Sequence, residues 1–236
     1  MMTVGTLDNE QQELDTRIET LFQERWQARL VKVDRMFAVL MIAQWIFAVL
    51  VALFFSPYAW SGKTRVIHTH VYVALFMGGA IALFPIVLAK YRAGSPLTRH
   101  VIAISQMLMS ALLVHLSGGR IETHFHVFGS LAFLAFYLDW RVLITASITV
   151  ASEHFVRGLW WPESVYGITN PEWWRFLEHA FWVAFEDVIL VWGCRIGLRD
   201  MRTAAQQQAA VEHLTELEQL KTAALEMALA EFGASA

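Results

Sequence analysis

A chain of 236 residues that is 56% apolar and only 17% charged, with a mean hydropathy of +0.44, is too hydrophobic for a disordered segment or an ordinary water-soluble enzyme. Its net charge of −3 leaves no basic footprint for nucleic acid, and a single cysteine, Cys194, excludes both an intramolecular disulfide framework and a thiolate-rich metal site. An integral membrane protein is the class that remains.

Residues 1–35 are polar and helix-forming, with Leu7, Leu14, Ile18, Leu21, Trp26, Leu30 and Val33 at helical spacing. That pattern predicts an amphipathic helix at or near the cytoplasmic membrane surface, or a solvated lead-in helix. It lacks the short apolar run and small-residue cleavage site of a signal peptide.

Residues 36–196 read as a transmembrane domain. A membrane-crossing helix needs about 20 apolar residues. Six stretches approach that length: 36–55, 71–89, 101–116, 121–138, 142–157 and 174–193. The first three contain no Asp, Glu, Lys or Arg. Asp139-Trp140-Arg141 alone joins the fourth and fifth, which predicts a tight helical hairpin. Arg25, Arg29, Lys32, Arg35, Lys90, Arg92, Arg99, Arg141, Arg195, Arg199 and Arg202 on one side outnumber Lys63, Arg65, Arg120, Arg157 and Arg175 on the other. Positive charge marks the cytoplasmic side, so both termini are expected there. Tyr58, Trp60, Trp160, Trp161, Tyr166, Trp173 and Trp174 form an aromatic belt on the outer side. Gly78-Gly79 and Gly129-Ser130 read as close-packing points between helices.

Residues 197–236 return to polar, helix-rich composition. Leu217, Leu220, Ala224 and Met227 have coiled-coil spacing, but His213 and Gln206 interrupt the same register upstream. A parallel cytoplasmic stalk, continuing the sixth helix and pairing two copies of the chain, is the expectation. Gly233-Ala234-Ser235-Ala236 has the look of an arbitrary end, so further chain is expected. The predicted fold is an all-α, integral membrane six-helix bundle with an N-terminal amphipathic helix and a C-terminal helical stalk.

On this topology His68, His70, His115, His124, His126, His154 and His179 all fall in the outer third, with Glu122, Glu153 and Glu178 beside them. An ionisable group in the bilayer is costly and normally faces the bundle interior. Neutral imidazole is the commonest metal ligand, and histidine with glutamate and no cysteine suits Cu, Zn, Fe or Ni. His124, His126, His154 and His179 lead as ligands, followed by His70, His115 and Glu122. Each of them taken singly is equally readable as a headgroup-facing or hydrogen-bonded residue. Glu122 and His126 share a helical face, and His124 joins them only through an irregular first turn after Gly118-Gly119. Glu153, Glu178, Glu186, Asp187 and His68 are candidates for orienting the ligands. Glu186 and Asp187 fall near the middle of the sixth span. Glu186 is the one expected to face the cluster, or else to bond Ser105, Gln106 or Thr145. No nucleotide-binding loop, kinase motif or nucleophile elbow is readable.

The run from Val114 to His126, with its Glu122-Thr123-His124-Phe125-His126 core, resembles a broad family of bacterial six-span sensor modules. So do Tyr137-Leu138-Asp139-Trp140-Arg141, Glu153-His154, Val165-Tyr166-Gly167 and Glu178-His179-Ala180. These modules are fused to histidine kinases, diguanylate cyclases or chemoreceptor signalling domains. The resemblance covers about residues 36–200 and matches His115, Glu122, His124, His126, His154 and His179, with one of His68 or His70. Many members carry His-His in place of Glu153-His154. Residues 218–229 resemble the connector that precedes a PAS domain. The resemblance implies an input module in the bacterial inner membrane, feeding a PAS, histidine kinase or similar output domain. Two alternatives stand beside a metal sensor: a haem sensor with two axial histidines, and a membrane metalloenzyme.

Overall fold

A computed structural model describes residues 4–61, 63–172 and 174–234, and side chains from Asn9 to Phe232 apart from Trp60. Leu7, Trp60 and Trp173, counted above in the amphipathic face and aromatic belt, lie outside the described side chains. In chain order the elements are α1 (Val4–Phe55), β1 (Tyr58–Ser61), β2 (Thr64–Ile67), α2 (Thr69–Tyr72), a π-helical turn (Val73–Met77) and α3 (Gly78–Tyr91). They continue with α4 (Pro96–Leu116), α5 (Ile121–Leu134), a 3-10 turn (Ala135–Tyr137), α6 (Trp140–Trp160), α7 (Glu163–Tyr166) and α8 (Arg175–Ala234).

Among the described residues the regular structure is helical apart from one antiparallel hairpin, β1–β2, in which Tyr58 pairs with Ile67 and Ser61 with Thr64. Each of the six apolar stretches falls on helix. Among the described residues, three helices combine the length and apolarity to cross a membrane: Asn9–Phe55, Thr69–Tyr91 and Pro96–Leu116. The fourth stretch is divided between α5, which has 14 residues, and the 3-10 turn. Glu178, Glu186 and Asp187 lower the apolarity of the sixth. Leu138 takes a left-handed conformation (φ 54°), and the Asp139 carboxylate accepts the Arg141 amide. These two residues close the predicted hairpin between α5 and α6.

The chain divides into two compact units, one running up to Gln27 and resuming at Gly197, the other Ala28–Ile196. In the first, Leu21 is buried with Ala205 and Ala209, and Leu14, Ile18 and Phe22 pack against them. The N-terminal apolar stripe thus rests on the chain's own C-terminal helix, whose alanines let the two backbones approach. Arg17 and Gln208 donate to the two oxygens of Glu212, each at 2.8 Å. Those two bonds, the one from Arg17 first, hold the Glu212 carboxyl below its ordinary range. A depressed carboxyl contributes stability above its unfolded value and loses it as pH falls. Arg17 and Glu212 are therefore expected to stay paired at the ordinary glutamate value of about 4.3 and to separate only at lower pH, read as loss of the Arg17 Nε–H cross-peak shift in NMR titration. Because the pair lies at the surface, its side chains 48% and 34% exposed, unchanged global unfolding accompanies that loss.

In the second unit α4 is the central element, packing on α3, α5, α6 and α7. Ser95 caps it by accepting the Thr98 amide, and Pro96 occupies its first turn, where a missing N–H costs nothing. Met109, Leu112, Leu113 and Leu116 of α4 bury against Met41, Ala48 and Ala52 of α1 and Ala82 of α3. The Trp45 indole lies over Gly78 and Gly79, where an added Cβ would stand 3.2 and 2.9 Å from its ring. That pair of glycines is a close-packing point, as expected. Gly129 is not: nothing lies within 4 Å of the place its Cβ would occupy, and only its neighbour Ser130 is buried. At the N-terminal end of α4, Tyr137 stacks on Phe37 at 5.7 Å and donates to Asp34 Oδ1 at 2.6 Å. The Gly94 amide donates to Asp34 Oδ2 at 2.6 Å, and Arg99 pairs with Asp139 at 3.0 Å.

Candidate metal centre

Three helices of the second unit each bring one imidazole to a common point. His124 of α5, His154 of α6 and His179 of α8 stand with ring centres 5.5 Å (124–154), 5.3 Å (124–179) and 5.9 Å (154–179) apart. Each ring is oriented in the same way. Nδ1 of His124 lies 3.0 Å from the Arg120 carbonyl, that of His154 3.1 Å from the Val150 carbonyl, and that of His179 3.0 Å from the Arg175 carbonyl. A carbonyl oxygen only accepts, so every Nδ1 carries the hydrogen and every Nε2 keeps its lone pair. The i−4 carbonyl is within reach because a helical side chain leans back toward the helix N-terminus.

The His154 Nδ1 also lies 2.6 Å from the Glu153 carboxylate. Glu153 is itself paired with Arg157, whose guanidinium donates further to the Ala111 carbonyl and to Ser164, both at 3.1 Å. A carboxylate behind a histidine fixes its tautomer and ring orientation, the arrangement found around protein-bound metals. Tyr166 closes one flank, its ring 5.6 Å from that of His179.

The spacing can be set against what an ion requires. An ion bound about 2.0 Å from each Nε2 puts ring centres about 3.2 Å from it, hence about 5.2 Å apart in tetrahedral geometry. The observed 5.3–5.9 Å is a slightly open version of that triangle. Among the described residues no group of three or more His, Cys, Asp or Glu is placed so as to hold a metal ion as it stands.

The other sequence-predicted residues lie elsewhere. His126 is two positions from His124, and the first turn of α5 is regular, so the two point to opposite sides. Its Nε2 lies 2.9 Å from the Gln44 amide and its Nδ1 2.8 Å from Ser110 and 3.3 Å from Ser130. Both ring nitrogens are already used. His68, His70 and His115 form a separate file, with ring centres 4.3 and 4.9 Å apart, ending on Trp161 at 4.8 Å. His68 Nδ1 accepts the His70 amide and so caps α2. Glu122 projects outward, its side chain 71% exposed and 3.9 Å from Arg120. Glu178 is exposed. Of the carboxyls in the sixth stretch it is Asp187, not Glu186, that lines the cavity beside the triad, one helical stretch away from the imidazoles. Asp187 lines a cavity of about 400 Å3 with the triad and accepts the Ser147 hydroxyl at 2.5 Å. Thr145, expected near Glu186, bonds His100 at 2.8 Å, and Gln106 donates to Ser130 at 3.0 Å. Arg157, Ser147 and Gln44 were not signalled as site residues by the sequence. Only the i,i+4 pairing of Glu153 with Arg157 inside a predicted span could have singled one out.

No family model and no solved structure matches the chain. A stretch of 76 residues is 40% identical to the transducer protein Htr8 of Halobacterium salinarum, a match covering 30% of this chain and 12% of that protein. The chain accordingly spans a small part of that relative's length.

Proposed function

We propose that the chain is the transmembrane input module of a signal-transduction protein, and that His124, His154 and His179 hold a transition-metal ion, Cu, Zn or Fe. The observation that carries the metal is the triangle of imidazoles with every Nδ1 engaged by a carbonyl and every Nε2 left to a ligand. The partial likeness to a transducer protein and the three long apolar helices support the signalling and membrane parts of the reading. The resemblance to six-span sensor modules adds the bacterial inner membrane, cytoplasmic termini, a homodimer through the stalk and a histidine kinase or similar output domain. His179 and the stalk residues belong to the one helix α8. Occupancy or redox change at the triad transmits only insofar as it interacts differently with two packings of these helices.

A haem needs two imidazoles facing each other across an open plane, and here a third ring touches both, so the triangle favours an ion. The test is elemental analysis of detergent-purified protein. We expect about one ion per chain, lost in His124→Ala, His154→Ala and His179→Ala and retained in His126→Ala. Full metal content in His154→Ala overturns the reading, as does a Soret band in the parent protein.

A further inference from the structure

The cavity beside the triad has a second polar end. It lies between α5, α6 and α8, and Phe128, Phe155, Phe176, Val150 and Val183 give it apolar walls. Its two ends each hold a buried polar atom without a hydrogen-bond partner. At one end is His124 Nε2, on a residue 5% exposed; at the other is Asp187 Oδ1, on a residue 9% exposed. A buried polar atom left without a partner in an apolar setting is costly, so two of them facing one cavity call for a bound group at each end.

We propose that this cavity binds a small two-ended aromatic diol, of the hydroquinone class, drawn from the bilayer. The inference deepens the metal-sensor reading and shares with it only the triad end of the cavity. Along α8, Asp187 lies eight residues beyond His179, about 12 Å of helical rise; along α6, Ser147 lies seven before His154, about 10 Å. A para-hydroquinone spans about 5 Å between its oxygens, and a hydrogen bond of about 2.8 Å at each end brings the total to about 11 Å, the same order as those backbone rises. Ring and methyl substituents suit the phenylalanine and valine walls. A diatomic gas is too short to reach both ends, and a fatty acid has only one polar end. The reduced form is preferred on hydrogen-bond grounds. His124 Nε2 can only accept, because its Nδ1 holds the proton, and a hydroquinone hydroxyl donates where a quinone carbonyl cannot. Were an ion held by the triad, it would take the His124 Nε2 lone pair, and the hydroquinone oxygen would meet the ion in place of that nitrogen.

The experiment is anaerobic calorimetric titration of the detergent-purified protein, as isolated and after chelator treatment, with tetramethyl-1,4-hydroquinone. The corresponding quinone and tetramethylbenzene serve as comparison probes. Saturable binding is expected in both preparations, tighter for the hydroquinone than for the quinone after chelation, and at least tenfold weaker for tetramethylbenzene. Asp187→Leu, which removes the lower polar end, and Val183→Trp, which fills the cavity, should each weaken hydroquinone binding at least tenfold with metal content unchanged. Ser147→Ala, which leaves the cavity open, provides a milder variant should either of those fail to fold; it is expected to weaken binding severalfold. Unsaturable uptake, equal binding of tetramethylbenzene, or indifference to whichever of these variants fold overturns the proposal. Metal loss in the histidine variants tests the preceding reading separately, since none of the cavity substitutions alters the triad.

Discussion

Arg157→Met is expected to lower the unfolding free energy of the detergent-solubilised protein by about 3 kcal/mol, the scale seen when one partner of a buried ion pair is removed. The side chains of Arg157 and Glu153 are 21% and 11% exposed, so the carboxylate left behind has little water to replace the guanidinium. The same guanidinium ties the Ala111 carbonyl of α4 and Ser164 of α7 to α6, and three elements loosen together. Removing both charges in Glu153→Leu/Arg157→Met takes away the uncompensated carboxylate, and most of the loss should be recovered. Titration with a denaturing detergent, followed by circular dichroism, reads both values. Equal losses in the single and double variants would show that the two residues do not act as a pair. Glu153→Gln keeps the shape but withdraws the charge behind His154, so metal affinity is expected to fall by about 10–100-fold. His126→Ala, remote from that carboxylate, should leave affinity unchanged.

Helices were readable because hydropathy and period act locally. Apolar residues over a span-length stretch leave the backbone few choices, and Met36–Phe55, Val71–Ala89 and Val101–Leu116 lie within α1, α2–α3 and α4. The hairpin Tyr58–Ile67 was missed for the opposite reason. A four-residue strand carries too little pattern to stand out from a loop, although Tyr58, Val66 and Ile67 are strand formers. The N-terminal stripe was legible as amphipathic, but its partner was not, since a period says only that a face is apolar. Ala205 and Ala209, small residues far along the chain, decide what covers it.

The site was legible as a set of residue types and not as a constellation. Histidines at several helix ends pointed to one level, but level is a coordinate along the membrane normal, and ligation also needs an azimuth. His124 and His126 share a level and differ by about 200° around α5, so one meets His154 and His179 while the other meets Gln44 and Ser110. Glu186 and Asp187 differ by about 100°, and helix packing, with Ser147 opposite, selects Asp187. Arg157 was read as an outer-side charge because sequence position gives depth and cannot show the Glu153 and Ser164 groups that draw it inward.

The turn between α4 and α5 sets the second large effect. Gly119→Ala is expected to cost about 3 kcal/mol and Gly118→Ala only about 1 kcal/mol, although the two glycines have nearly the same backbone conformation. Their φ angles are +73° and +76°. Both close the end of α4, Gly118 N donating to His115 O at 3.0 Å and Gly119 N to Val114 O at 2.9 Å. The conformational penalty of a side chain in that region is therefore common to the two. The surroundings differ. A Cβ on Gly118 meets nothing within 4 Å, whereas one on Gly119 would stand 2.3 Å from the Gly167 nitrogen and 3.0 Å from the Glu163 carbonyl. Those atoms are backbone of the single turn of α7, at its start and just past its end, and cannot swing away as a flexible side chain could. To relieve the clash, α7 must withdraw from the turn, and Tyr166, whose ring flanks His179, moves with it. Gly119→Ala should thus lower metal affinity as well as stability, while Gly118→Ala lowers stability alone. Thermal unfolding and metal titration of the two purified variants, run side by side, make the comparison. Equal losses of stability would mean that α7 does not pack against Gly119, and the route from this turn to the histidines would fall with it.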